Sequence, residues 1–165
     1  MVNIEFQYKD KREFYEQLNL QLRSLIKGET DIIANLANAS ALICCSLNHI
    51  NWSGFYILKN NELVLGPFQG KPACVRIPAG RGVCGTAVMR KKTILVENVH
   101  EFQGHIACDS ASESEIVVPI FANGIVAGVL DIDSPVLNRF DEEDKKGLEE
   151  FVSVLERGCD WSYHI

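Results

Sequence analysis

Six cysteines and a set of alternating acids are the residues best equipped for chemistry in this chain. In Val129-Leu130-Asp131-Ile132-Asp133 the acids alternate with aliphatic residues. A strand therefore places both carboxylates on one face and Leu130 and Ile132 on the other. Two acids on one face repel unless a cation, a proton or backbone donors lie between them. A metal or a substrate ammonium group could fill that role, and a solvated strand end is the plain alternative. Glu115, at the head of the preceding hairpin strand, is a third acid that can reach this face. Trp52 and Tyr56 are four apart on another strand and share a face. Gly54 between them leaves an open slot bounded by two rings, fit for core packing or for gripping a small polarizable group.

The cysteines divide by position. Cys108 lies in a polar loop beside His105 and Asp109, the partly exposed setting in which reactive thiols are found. Cys74 and Cys84 sit in or beside irregular segments. Gly80-Arg81-Gly82-Val83-Cys84-Gly85 places Cys84 near a helix N-terminus, where the dipole is expected to lower its pKa. Cys44 and Cys45 in a helix, and Cys159 after one, read as buried or incidental thiols. The chain has no CxxC pair, and His100, His105, Cys108, Cys74 and Cys84 are too irregularly spaced for a zinc knuckle. The glycine-rich run lacks the Walker lysine, so it is a poor phosphate loop. Three loop cysteines, three carboxylates and an aromatic pair suggest redox chemistry on a small ligand.

The elements that must hold these residues are legible in the pattern. Phe14, Leu18, Leu22, Leu25 and Ile26 recur at helical spacing between Asp10 and Lys27, with Gly28 at the C-terminal cap. Thr30 is expected to cap a second helix whose inner face carries Ile33, Leu36, Ala37, Ser40 and Cys44. Strands come next at Trp52–Leu58 and from Leu63, where Pro67 argues for a strand end or an edge. Another runs around Cys74–Ile77; a short helix spans Val83 to Arg90, and a further strand Thr93–Val96. Glu115–Phe121 and Ile125–Asp133 flank Ala122-Asn123-Gly124, a strong hairpin signal. Asp141 can cap a last helix presenting Leu148, Phe151, Val152 and Leu155 on one face. Strands joined by tight turns are antiparallel, so the expected class is α+β, with helices packed on one face of a sheet.

Composition bounds the rest. The 165 residues are one domain's worth, 1–165, with a self-sufficient core. The chain is 47% hydrophobic and 23% charged, which argues against disorder. A net charge of −6 without a basic cluster makes nucleic acid and membrane surfaces poor partners. The N-terminus does not read as a signal peptide, and no apolar run approaches the ~20 residues a bilayer needs. The expected setting is the cytoplasm.

Seven segments together carry a family resemblance. They are Asn51-Trp52-Ser53-Gly54-Phe55-Tyr56, Leu65–Gly70, Ala73-Cys74, Gly80–Ala87, Gly104–Asp109, Ser114–Pro119 and Gly128–Asp133. In order and spacing, from about Thr30 to Arg157, they resemble the free methionine-(R)-sulfoxide reductases. The resemblance implies a GAF-type domain with a central antiparallel sheet, helices on one face and a ligand pocket on the other. It implies an oxidoreductase acting on free methionine sulfoxide through a cysteine sulfenic acid and a disulfide, recycled by thioredoxin. Cys108 would be the nucleophile, Cys74 its main resolving partner and Cys84 an auxiliary one. Trp52 and Tyr56 would cage the methyl-sulfoxide end, while Glu115, Asp131 and Asp133 bind and protonate the substrate. No metal or organic cofactor is required, and whether the domain forms a homodimer is left open. A rival reading is a sensory GAF module that binds a small ligand and does no chemistry; a third is a zinc-stabilised interaction domain.

Overall fold

Two asparagine turns build the sheet. A computed structural model of the chain describes residues 7–106 and 109–162. Strands β1 (Trp52–Lys59) and β2 (Glu62–Gln69) are joined through Asn60 and Asn61, both at positive φ (51° and 62°). Strands β5 (Ser114–Ala122) and β6 (Ile125–Ser134) are joined through Asn123 and Gly124, at 52° and 79°. Paired positive φ values twist a two-residue turn in the same sense as the strands it joins. The two hairpins meet along β1 and β6, and the short strands β3 (Arg76–Pro78) and β4 (Ile94–Val96) close the edges. The sheet order is β3-β2-β1-β6-β5-β4, and every neighbouring pair is antiparallel. Strand β3 pairs only with Glu62–Val64, so Pro67 lies beyond the paired part of that edge, where its missing N–H costs nothing.

Period-2 alternation sends the side chains to two separate cores. Phe55, Ile57, Ile116, Val118, Ile120, Leu130 and Ile132 face one way. Against them pack helices α1 (Lys11–Leu25), α2 (Ile32–Ser46) and α4 (Glu142–Gly158). Trp52, Tyr56, Val117 and Val129 face the other way, against Val83, Cys84, Ala87 and Val88 of the short helix α3 (Gly82–Arg90). The three long helices thus share one sheet face as expected, while α3 joins the opposite, pocket-bearing face. At the α1–α4 contact, Gly147 lets the Tyr15 ring lie directly on the α4 backbone. The Tyr15 hydroxyl donates to Asp144 at 2.8 Å.

Helix α2 departs from expectation twice. Its cap is Asp31, whose side chain accepts from the Ala34 N–H at 2.8 Å, and not Thr30. Its buried face carries Ile32, Asn35, Leu36, Ala39, Ser40, Leu42 and Ile43, which leaves Ile33, Ala37 and Cys44 exposed. The helix is apolar around most of its circumference, so periodicity alone does not orient it. Polar groups settle the rotation. The Asn35 side-chain amide donates to the Glu29 carbonyl at 3.0 Å, and the Ser53 hydroxyl donates to the Ser40 carbonyl at 3.2 Å. Cys44 and Cys45 are both exposed, not buried, while Cys159 is half-buried and accepts from Asn35 at 3.6 Å. No helix among the described residues is long and apolar enough to cross a membrane.

Candidate active site

Sheet register gathers the acids. Val117 and Val129 belong to the second core, so Glu115 on β5 and Asp131 and Asp133 on β6 point to that side too. Asp133 pairs across the sheet with Glu115 on one side and with Trp52 on the other. Asp131 pairs with Val117 and with Gly54. Three carboxyls from two strands therefore converge beside the aromatic residues of β1. Helix α3 adds Cys84 from above, and Lys71, Pro72 and Ala73 with His105, Ile106, Asp109 and Ser112 form the rim of the same pocket.

Burial sets the protonation of this cluster. Glu115 is 5% exposed and Asp131 7%. Loss of water pushes both carboxyls well above the usual range, and Asp133 with them. Like charges add to it: Asp133 raises Glu115, Glu115 raises Asp131, and Asp131 raises Asp133. One oxygen of Asp131, Oδ1, is buried without a hydrogen-bond partner. A buried acceptor in that state awaits a donor.

The pKa of Cys84 shifts opposite to the expected direction. It is 4% exposed, and its thiol is pushed well above the ordinary value, first by burial and then by Asp131 and Glu115. The helix-dipole argument fails because desolvation and two carboxyls outweigh one helix terminus. The protonated thiol approaches Glu115 Oε1 at 4.0 Å. The other oxygen, Oε2, lies 3.6 Å from His105 Nε2. Burial lowers the pKa of His105, which keeps it neutral near pH 7.

The aromatic pair is present, but the slot between its members is not. Trp52 stacks on Tyr56 with centroids 5.9 Å apart and on Phe68 at 5.3 Å. A Cβ on Gly54 would lie 2.7 Å from the Trp52 ring and 2.8 Å from Phe68 Cα, and would collide with Phe68 Cβ. Gly54 is there so that Trp52 can fold across its own strand. The polar tips of the two rings anchor the rim: Trp52 Nε1 donates to the Lys71 carbonyl at 3.1 Å, and the Tyr56 hydroxyl to the Cys74 carbonyl at 3.0 Å. Across the mouth, Asn51 Nδ2 donates to Asp109 Oδ2 at 3.3 Å and to Ser112 Oγ at 3.1 Å. Lys71 pairs with Asp109 at 3.1 Å.

Of the residues singled out from sequence, Trp52, Tyr56, Cys84, Glu115, Asp131 and Asp133 line one pocket. Cys74 is half-buried and joins it through its carbonyl contact with Tyr56. Cys108 lies outside the described residues; Ile106 and Asp109 on either side of it line the pocket. His100 stands apart from the pocket cysteines, 3.2 Å from Glu113. Asn51 opens one of the seven segments that carry the resemblance, whereas no local signal marks Lys71 or Ser112, because each reaches the rim from a different loop. Cys84, Glu115 and Asp131 offer ligand atoms that all lie within 4.8 Å of one another.

Known proteins resemble this chain in sequence and fold. The GAF domain family matches residues 21–157. The free methionine-R-sulfoxide reductase of Escherichia coli is 57% identical over 148 residues, 90% of each chain. The free methionine-R-sulfoxide reductase of Neisseria meningitidis, solved in complex with its substrate, superposes with a TM-score of 0.91 at 45% identity, covering 95% of both chains. The fRMsr of Staphylococcus aureus, also in complex with substrate, is 56% identical with a TM-score of 0.84, covering 87% of this chain and 94% of its own.

Proposed function

Because the chain belongs to the GAF-domain family of free methionine-R-sulfoxide reductases, we propose that it reduces free methionine (R)-sulfoxide to methionine by thiol chemistry. The observation that carries the reading is the cluster of three carboxyls with raised pKa beside a buried aromatic pair. A sulfoxide is a poor electrophile until its oxygen is protonated. A carboxyl kept protonated near neutral pH by burial and by neighbouring acids is suited to supply that proton. A partner that has ionised, with its free acceptor, is suited to hold the substrate's ammonium group.

In this reading Cys108 attacks the sulfur as the thiolate while a pocket carboxyl protonates the oxygen. The oxygen passes to Cys108 as a sulfenic acid, and methionine is released. Cys74 then condenses with the sulfenic acid, which expels water and leaves a disulfide. A thioredoxin reduces it, so two thiols supply the two electrons each turnover takes from the reductant. Trp52 and Tyr56 pack against the methyl end, and Glu115, Asp131 and Asp133 handle the polar end. Neutral His105 lies 3.6 Å from Glu115 Oε2, beside the acid cluster. The high pKa and burial of Cys84 favour a supporting role over that of the main resolving thiol. No organic cofactor enters the scheme, and a reducing compartment such as the cytoplasm suits it.

The test is direct. Reduced protein, thioredoxin, its reductase and a nicotinamide reductant are incubated with separated epimers of free methionine sulfoxide, and methionine is measured. Methionine from the R epimer alone supports the proposal. Binding of the sulfoxide with no methionine formed supports the rival reading of a GAF sensor.

A further inference from the structure

We propose that Lys71, Asp109 and Asn51 form a tie across the pocket mouth that holds the segment carrying Cys74 against the segment carrying Cys108, so that the disulfide can close. The sheet alone does not bring these segments together. The Cys74 segment leaves the end of β2 and the Cys108 segment leads into the start of β5. Register places both at one end of the sheet, Gln69 facing Ser53, Ser53 facing Ile132 and Ile132 facing Ile116, with β1 and β6 in between. Three strand spacings of about 4.8 Å set β2 about 14 Å from β5. A disulfide needs Cα atoms about 4.4–6.8 Å apart. Contacts over the mouth must make up the difference.

The polar contacts sit where that task requires them. Lys71 stands three residues before Cys74, and Asp109 is the described residue next to Cys108. The Lys71 ammonium lies 3.2 Å from Asp109 Oδ1 and 3.1 Å from Oδ2, so it bridges both oxygens. The Ala111 N–H donates to Oδ1 at 3.0 Å, and Asn51 Nδ2 to Oδ2 at 3.3 Å. The Ala111 N–H, then Lys71 and Asn51, hold this carboxyl below the usual carboxylate range, and it is ionised at neutral pH. Asn51 is rooted in turn by its own N–H, which donates to the Asp133 carbonyl of β6 at 3.0 Å. On the far side the two rings of β1 grip the backbone of the Cys74 segment, Trp52 at the Lys71 carbonyl and Tyr56 at the Cys74 carbonyl. Both ends of the tie are thus fixed to the sheet, and its middle is one ion pair. With the Lys71 side chain 69% exposed, that pair adds little to stability. Its effect is on proximity, because a displacement of about 1 Å between reacting groups can cost about 100-fold in rate. In the step concerned, the Cys74 sulfur attacks the sulfenic sulfur of Cys108; the S–S bond forms, the S–O bond breaks, and the oxygen leaves with the thiol proton as water. Lys71, Asp109 and Asn51 are positioning residues for that step, which rests on the roles proposed above for Cys74 and Cys108.

The experiment separates the two half-reactions. Reduced intact protein, with no reductant present, is mixed with free methionine (R)-sulfoxide and quenched in acid. Methionine and the disulfide are measured against time, with a sulfenic-acid trap in a parallel series. The wild type should release methionine and then close its disulfide. In Lys71→Met and in Asp109→Asn, disulfide closure should slow at least about tenfold more than methionine release, and trapped sulfenic acid should rise. Lys71→Arg should restore most of the closure rate. Arg76→Met, which removes the ion pair with Glu62 at 2.7 Å on the same edge of the sheet, should leave both steps unchanged. Salt gives a check that needs no variant: about 1 M should slow closure in the wild type and not in Lys71→Met, because an exposed pair is screened. Equal slowing of both steps, closure at the wild-type rate in Lys71→Met, or wild-type closure indifferent to salt overturns the tie and leaves the reductase reading standing. A wild type that releases no methionine overturns that reading, and the tie with it.

Discussion

Gly54→Ala is the substitution whose consequences can be worked most closely from the structure. The new methyl would sit 2.7 Å from the Trp52 ring and 2.8 Å from Phe68 Cα, with Phe68 Cβ closer still. Ordinary carbon contacts begin near 3.4 Å, so neighbours must retreat by more than half an ångström. Trp52 can tilt, but Phe68 Cα is backbone, paired with Gly54 itself across the β1–β2 ladder. Overpacking of this kind costs about 1–3 kcal/mol. At roughly 2–4 °C per kcal/mol for a domain this size, the melting temperature should fall by roughly 2–12 °C. The damage should also reach the substrate, because a tilted Trp52 loses its stack on Tyr56 and its bond to the Lys71 carbonyl. KM for the sulfoxide should rise several-fold. Gly28→Ala is the control: its methyl would meet nothing within 4 Å, and its φ of +84° imposes backbone strain far from the pocket. That variant should lose about 1 kcal/mol of stability with KM unchanged. Thermal melts and initial rates on both variants decide the matter. If Gly54→Ala melts with the wild type, or if both glycines shift KM alike, the account of Trp52 folded across its own strand is wrong.

Four further outcomes are expected. N-acetyl or peptide-bound methionine sulfoxide should lose orders of magnitude in kcat/KM, because buried carboxylates left without their cation cost several kcal/mol; equal reduction of free and blocked forms would exclude ammonium recognition. Cys108→Ser should release no methionine in a single turnover, whereas Cys74→Ser should release about one per enzyme and then stall with thioredoxin; a burst from Cys108→Ser would pass the nucleophile's role to another thiol. Cys84→Ser should have a milder effect, and changes at Cys44, Cys45 or Cys159 should leave turnover nearly intact. Asp131→Asn should stabilise the fold near neutral pH. The raised carboxyl contributes stability that is full below its unfolded pKa and lost as pH rises through its folded value, so chemical denaturation should show the gain vanishing in acid. Asp141 has the opposite sign: Lys11 and the first-turn N–H groups of α4 overcome its partial burial and hold it at about 2. Asp141→Asn should therefore destabilise the protein at pH 7, and its stability should converge on the wild type's as pH falls toward 2, measured in the same denaturation series.

Short-range stereochemistry made part of this protein legible from its residues alone. The Asn123-Gly124 turn could be read because few residues accept positive φ, and Asn60-Asn61 obeys the same constraint. The shared face of Asp131 and Asp133, and of Trp52 and Tyr56, came from the period of a strand, which no distant contact can alter. Seven motifs in order carried the family, and with it the roles assigned to Cys74, Cys84 and Cys108. Tertiary contacts settled whatever depends on which surfaces meet. Helix α2 could be rotated only by knowing that Glu29 and Ser53 await its Asn35 and Ser40. The rim contacts among Asn51, Lys71, Asp109 and Ser112 join three loops far apart in the chain. The slot over Gly54 vanished because an indole can fold back across a glycine, a rotamer choice made by Phe68 on the next strand. The direction of the Cys84 shift reversed for the same reason. A helix terminus is a local, sequence-visible charge, whereas desolvation and the nearness of Asp131 and Glu115 exist only once α3 has settled on the β5–β6 hairpin.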